Sequence, residues 1–335
     1  MRRIRVAQLG MNRYSHGIDI FDALKTMPEV FEIAGYTLVE DEEQTCADKL
    51  HTFEGYPRLT LEQILTDESI EAVFVETDEI HLTKYAQMVA DAGKHMHMEK
   101  PGGASLEDFR TLIQTVKENG RVFHVGYMFR YYPFIREVID RAKAGELGEI
   151  YSVQADMSRF DKAPTREWLS TFRGGMMFYL GCHLIDIILQ IQGKPTRVLP
   201  LNTSTGFDGI GSEDIGFAVL EYPNGLSHVR IAATEVGGSH RRQLVVCGRN
   251  MTVDIKPLER RAPDNPYMLQ SDKAEYYFGE DGHTKVKTET CEMFLRYEAM
   301  LRSFAAMVRG EKTNPYTPDY ELMLYETIMT CCNVQ

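Results

Sequence analysis

The sequence predicts an α/β fold in two parts: a doubly wound parallel sheet over residues 1–126, and a second α/β domain over 127–335 built on a large, open, mostly antiparallel sheet. Three observations lead there. Short apolar runs at 4–9, 31–39, 72–75, 95–98 and 122–126 alternate with helix-length segments, the pattern of parallel strands joined by helical crossovers. Beyond Arg130 the texture changes to strand-like runs at 151–159, 197–202, 214–222, 226–234, 243–246 and 252–255, two of them joined by the turn Pro223-Asn224-Gly225. A chain of 335 residues also exceeds what one ordinary hydrophobic core organises.

Each element has a local reason. Residues 4–9 are apolar and β-branched, stop at Gly10, and lead into a helical pattern at 17–25. The run 95–98 follows a helical segment ending at Gly93 and delivers Glu99-Lys100-Pro101 to a strand end, the edge where open parallel sheets bind ligands. Pro101 disfavours helix at Lys100 and holds it extended. A helix is expected at 133–144, stopping at Gly145, and another at 176–192, preceded by Gly174-Gly175 and closed by Gly193-Lys194-Pro195. Helices at 291–308 and 319–332 finish the chain, which shows no internal repeat and no low-complexity tract.

Composition narrows the function. Lys plus Arg number 37 against 49 Asp plus Glu, a formal charge of −12 that repels nucleic acid and anionic membranes. No apolar run approaches the roughly 20 residues of a spanning helix. Met1-Arg2-Arg3 runs straight into a strand rather than a signal-peptide core, so a cytoplasmic protein is expected. The six cysteines are scattered, with no CxxC pair and no metal-ligand spacing, and read as reduced thiols. His95, His97 and Glu99 share one strand face, but space-filling between sheet and helix explains the histidines better than a metal does, and no metal is expected.

Three segments carry chemistry. The turn Gly10-Met11-Asn12-Arg13-Tyr14-Ser15-His16 keeps only the first glycine of the dinucleotide fingerprint, with Asn12 expected to reach positive φ in place of the second and Ser15 small enough for helix packing. An acidic ribose reader is expected near the end of the second strand, where Glu40 comes slightly late, and the lack of a local Arg or Lys favours NAD over NADP. Tyr179, His183 and Asp186 fall at i, i+4 and i+7, placing a phenol, an imidazole and a carboxylate on one face of an otherwise apolar helix. His183 is suited to proton exchange near neutral pH, with Asp186 to orient it.

Gly10, Glu99-Lys100-Pro101, Gly126-Tyr127-Met128-Phe129-Arg130-Tyr131 with Pro133, and Gly181-Cys182-His183-Leu184-Ile185-Asp186 together resemble the glucose-fructose oxidoreductase / inositol dehydrogenase / MocA (Gfo/Idh/MocA) family over nearly the whole chain. The resemblance implies an N-terminal Rossmann domain that binds NAD or NADP and a C-terminal α/β domain that covers the substrate and often forms subunit contacts. It also implies that Lys100 contacts substrate and cofactor and that His183 is the acid/base. The family usually carries a carboxylate four residues before the histidine; here that residue is Tyr179. The expected reaction is hydride exchange between a nicotinamide and a sugar or polyol, with Lys100, His183, Tyr179 and Asp186 catalytic. Gly10, Asn12, Arg13, Glu40, Glu76, Thr77, His81, Glu99 and Lys100 are the cofactor candidates. Tyr127, Arg130, Trp168 and Arg173 are candidate pocket walls. A homodimer or homotetramer is expected, because the open sheet would otherwise leave a large apolar face. The alternatives are redox-assisted glycoside hydrolysis and an inactive nucleotide-binding sensor or scaffold.

Overall fold

The computed structural model describes residues 2–265, 267–270, 273–279 and 283–334. They form two compact units, one of residues 1–127 with 297–325 and one of residues 128–296 with 326–335. The first unit therefore regains a late segment, which the single expected boundary at 126 does not express.

The first unit contains β1 (Ile4–Leu9), α1 (Gly17–Lys25), β2 (Phe31–Thr37), α2 (Glu42–Thr45), α3 (Leu61–Thr66), β3 (Ala72–Val75), α4 (Leu82–Asp91), β4 (His95–Met98), α5 (Leu106–Asn119) and β5 (Phe123–Val125). All five strands are parallel, in the order β2-β1-β3-β4-β5. A further parallel bridge joins Tyr36 of β2 to Arg58, fixed by Tyr36 N to Pro57 O at 3.1 Å and Leu59 N to Tyr36 O at 2.8 Å. It extends the pairing by one residue beyond β2, outside the five strands.

Parallel strands covered on both faces must be apolar throughout, and β3 meets that demand: Ala72, Val73, Phe74 and Val75 are all fully buried. Burying Val73, Phe74 and Val75 contributes about 1.5–3 kcal/mol each. Helix α5 shows why its residues are helical. Ser105 caps its start by accepting from Asp108 N at 3.2 Å, Gly120 ends it at φ 63°, and Phe109, Leu112, Ile113 and Val116 bury one face.

The second unit opens with α6 (Pro133–Lys143), which starts on a proline at the helix position where the missing N–H costs nothing. Then follow β6 (Ile150–Asp156), α7 (Ala163–Trp168), α8 (Cys182–Gln192), β7 (Arg197–Pro200), β8 (Ile215–Tyr222), β9 (Gly225–Ala232), β10 (Gln243–Gly248) and β11 (Met251–Ile255). The short strands β12 (Arg260–Arg261), β13 (Met268–Gln270), β14 (Ala274–Phe278), β15 (Lys285–Glu289) and β16 (Phe294–Leu295) come last. Eight strands form one sheet in the order β15-β14-β11-β10-β6-β9-β8-β7, antiparallel except for the β6–β9 pair. The β8–β9 hairpin pairs Tyr222 with Gly225 across the expected turn.

Two expectations change. The chain past 255 adds β14 and β15 to the large sheet, and β15 is an exposed edge carrying Lys285 and Lys287, whose charge hides it from an apolar pattern. The first of the two final helices, α9 (Glu298–Val308), starts seven residues later than the expected 291, because Phe294–Leu295 is a strand. The last, α10 (Pro318–Cys331), runs as expected.

Candidate active site

In the first unit the strand ends carry the chemistry. Gly10 closes β1 at φ +82°, and a Cβ there would sit 2.7 Å from Thr77 Cβ and 2.9 Å from the Thr77 backbone. Only glycine fits that conformation and that approach. Gln8, buried inside β1, clamps the same turn by donating to Gly10 O at 3.0 Å and Gly17 O at 3.1 Å.

The turn departs from its expected roles. Asn12 is not among the residues with positive φ; its amide donates to Glu79 Oε2 at 2.6 Å and Asp78 Oδ2 at 3.3 Å, while its oxygen accepts from Tyr14 N at 3.0 Å. It ties the first turn to the loop after β3 instead of replacing a glycine. Ser15 is half-buried, and the close packing falls to Gly17, where a Cβ would lie 2.9 Å from Glu76 Cβ. Arg13 is exposed and pairs with Asp48. Glu40 does take a positive φ, 52°, and accepts from Lys84 Nζ at 2.6 Å and Tyr85 OH at 2.8 Å, which hold its carboxyl below the usual range. Helix α4 thus supplies a cation beside Glu40 that local sequence does not show.

After β3, Glu76, Thr77 and Glu79 are fully buried, and His81 caps α4 by position, half-buried. Thr77 donates to Glu42 Oε1 at 2.6 Å. Burial pushes the Glu42 carboxyl up to about 7, against the bonds from Thr77 and from Val39 N. After β4, Glu99 is 1% exposed and Lys100 is fully buried, with Nζ 3.4 Å from Glu99 Oε1 and 4.0 Å from Glu79 Oε1. The Lys100-Pro101 peptide is cis. Burial raises the Glu76 and Glu79 carboxyls well above the carboxylate range, while Lys100 pulls both down. Tyr127, buried, ends the first of this unit's two segments.

In the second unit the segment Met177–Gly181 winds as a π-helix before α8 begins, so Tyr179 and His183 are not one regular α-turn apart. Each of the three polar residues has its own neighbours. Tyr179 meets Trp168 edge-on at 5.0 Å and lies under the Arg159 guanidinium at 5.2 Å. His183, fully buried, meets Phe129 edge-on at 5.1 Å. Asp186 accepts both arms of Arg130, Nε at 3.0 Å and Nη2 at 2.9 Å, and the Gln190 amide at 2.9 Å. That fork joins the Met128–Tyr131 turn to α8 inside the core, where an ion pair requires such geometry. Arg173 is exposed.

Residues 5–127 match the family described as "Oxidoreductase family, NAD-binding Rossmann fold", and residues 135–254 match the "GFO/IDH/MocA C-terminal domain". The chain belongs to the Gfo/Idh/MocA family. It is an NAD(P)-binding oxidoreductase. Among the relatives of this Gfo/Idh/MocA oxidoreductase, D-xylose 1-dehydrogenase (NADP(+)) 2 of Haloferax volcanii is 26% identical over 269 residues, 80% of this chain and 78% of that one. A scyllo-inositol 2-dehydrogenase (NAD(+)) of Bacillus subtilis is 31% identical over 132 residues, 39% of this chain and 38% of that one. The solved structure of aldose-aldose oxidoreductase from Caulobacter crescentus, complexed with glycerol, has the same fold at TM-score 0.78 and 19% identity, covering 99% of this chain and 98% of that one. Among the described residues of the oxidoreductase, no helix is long and apolar enough to cross a membrane.

Sequence reasoning missed Gln8, Gly17, Glu42, Lys84 and Arg159. Gln8 had a signal, a polar residue inside an apolar strand; Glu42 and Lys84 had none, since their partners lie far along the chain.

Glu42 gives the oxidoreductase a measurable pH response. Its folded-state pKa lies above the unfolded value, so its contribution to stability is complete below about pH 4.5 and is lost as pH rises through about 7. Thermal unfolding of the ligand-free protein between about pH 5 and pH 8 should show the wild type losing stability relative to Glu42→Gln. Parallel curves would show that Glu42 is ionised in the fold.

Proposed function

We propose that this oxidoreductase exchanges a hydride between a nicotinamide and a hydroxyl-bearing carbon of a sugar or polyol. The observation that carries the reading is Lys100, a fully buried ammonium at the carboxyl end of a central strand of an NAD-binding Rossmann domain. A charge placed there at such cost in desolvation belongs to chemistry rather than to solubility.

The turn fits a dinucleotide on its own geometry. Gly10 keeps side chains off the backbone at the first strand end, and buried polar atoms at the ends of β3 and β4 await partners. Gly10, Asn12, Arg13, Glu76, Thr77, His81, Glu99 and Lys100 would surround it. Glu40 would accept from a free ribose hydroxyl, which favours NAD, while Lys84 at 2.6 Å from that carboxyl is a cation that could instead meet a 2′-phosphate. When bound, the nicotinamide supplies the hydride acceptor or donor. Lys100 donates a hydrogen bond to the reacting oxygen and stabilises the charge that develops on it. His183 exchanges the hydroxyl proton. Asp186 holds Arg130 and with it the wall of α8, while Tyr179, Trp168, Tyr127 and Arg173 contact substrate. The dehydrogenase relatives on xylose and scyllo-inositol support the substrate class.

In Lys100→Met, kcat on the best sugar or polyol should fall by at least about a hundredfold while NADH or NADPH still binds. The variant should also melt lower, because Glu79 and Glu99 lose their cation. A loss confined to KM would remove Lys100 from the chemical step.

The reading extends to assembly. The wetter face of the large sheet carries Phe217, Val219, Leu226 and Val245, none of them buried. Light scattering at micromolar concentration should report a homodimer or homotetramer; monomer alone would contradict this.

A further inference from the structure

At the ends of β3 and β4, three acidic side chains and one lysine lie out of reach of water, with Glu99 and Glu79 3.4 and 4.0 Å from the lysine ammonium. Glu76, Glu79 and Lys100 are 0% exposed and Glu99 1%. Neither oxygen of Glu76 has a hydrogen-bond partner, nor has Oε1 of Glu79 or of Glu99. A different kind of side chain points the same way. His97 Nε2, fully buried and without a hydrogen bond, faces Glu76 Oε1 across 3.6 Å, while its Nδ1 meets His124 Nδ1 at 2.8 Å. Burial pushes the His97 imidazole down to about 3, so it brings no charge to Glu76.

The groups around Glu76 can be named element by element. The loop after β3 contributes Glu79, itself under the influence of Asp78; β4 and its end contribute His97, Glu99 and Lys100; β5 contributes His124. β1 contributes the neutral Gln8 and α1 the bare Gly17, and α9 places Phe304 on both histidines. Fully ionised, the buried Glu76, Glu79 and Glu99 would set three negative charges against Lys100 in a dry space. Such a set keeps a proton until another cation replaces it. Among the described residues no group of three His, Cys, Asp or Glu could hold a metal ion.

The fold indicates which cation. In a doubly wound sheet the pyrophosphate sits at the first turn and the adenosine half runs over the end of β2, which directs the nicotinamide half toward the ends of β3 and β4. The oxidised nicotinamide ring carries one positive charge and the reduced ring none.

We propose that Glu76, with Glu79 and Glu99, is a charge-compensating site that exchanges a proton for the positive charge of the oxidised nicotinamide, so that the oxidised cofactor expels a proton on binding and the reduced cofactor does not. The O–H bond of the Glu76 carboxyl breaks, its electron pair stays on the carboxylate, the proton passes to solvent, and nothing is oxidised or reduced. The inference rests on the dinucleotide reading and adds a preference between its two redox states.

The test is titration calorimetry with NAD and NADH, and with NADP and NADPH, in two buffers of different ionisation enthalpy. The wild type should release about one proton per oxidised cofactor bound and close to none per reduced cofactor. Affinity for the oxidised form should rise with pH by up to about tenfold per unit, with the reduced form unchanged. Glu76→Gln should abolish the release and cut the preference for the oxidised form by about tenfold. Equal proton release with both forms, or none with either, overturns the proposal while leaving cofactor binding intact. Failure of all four to bind overturns the dinucleotide reading as well. Should the variant not fold, the comparison of redox forms on the wild type decides alone.

Discussion

One ammonium enclosed with three buried acidic side chains is the interaction on which the rest of this structure depends. The parallel sheet makes it possible: β3 is apolar on both faces, and Phe74, His97, His124 and Phe304 fill the layer behind the strand ends. Charged residues that follow such strands emerge at the sheet's carboxyl edge without reaching bulk water. A buried ion pair rarely stabilises a protein more than apolar residues of the same volume. The first unit therefore carries Glu76, Glu79, Glu99 and Lys100 at a cost in stability that function has to justify.

The second unit solves the same problem differently. Asp186 and Arg130 meet in a two-pronged bond, and Gln190 also donates to the carboxylate. His183 stands three residues away on a helix otherwise filled with Leu184, Ile185, Ile187 and Ile188. The π-helical turn before α8 widens the backbone where Tyr179 meets Trp168 edge-on and lies under Arg159, a local irregularity of the kind found at functional sites.

Much of this was legible in the sequence, for physical reasons that differ by element. Strands β1 to β5 showed because a sheet covered on both faces tolerates only apolar runs. Lys100 showed because proline and acid flank it at a strand end, and His183 because a polar residue on an apolar helix needs a purpose. The π turn did not show, since its residues Met177–Gly181 suit an α-helix equally well. Nor did the exchange of roles in the first turn, where Gly17 rather than Ser15 packs closely and Asn12 bonds Glu79 across 67 positions. Pairings of that span, like Thr77 with Glu42 and Glu40 with Lys84, are set by tertiary packing and leave no local pattern. Strand β15 escaped because an edge needs charge rather than apolar residues.

The proposed exchange requires the Glu76 carboxyl to hold its proton in the folded, ligand-free protein at neutral pH. Infrared difference spectroscopy between wild type and Glu76→Gln reads that proton directly, since a protonated carboxyl absorbs apart from a carboxylate. A protonated-carboxyl band is expected in the wild type and not in the variant. A wild-type spectrum showing Glu76 only as carboxylate at neutral pH would contradict it.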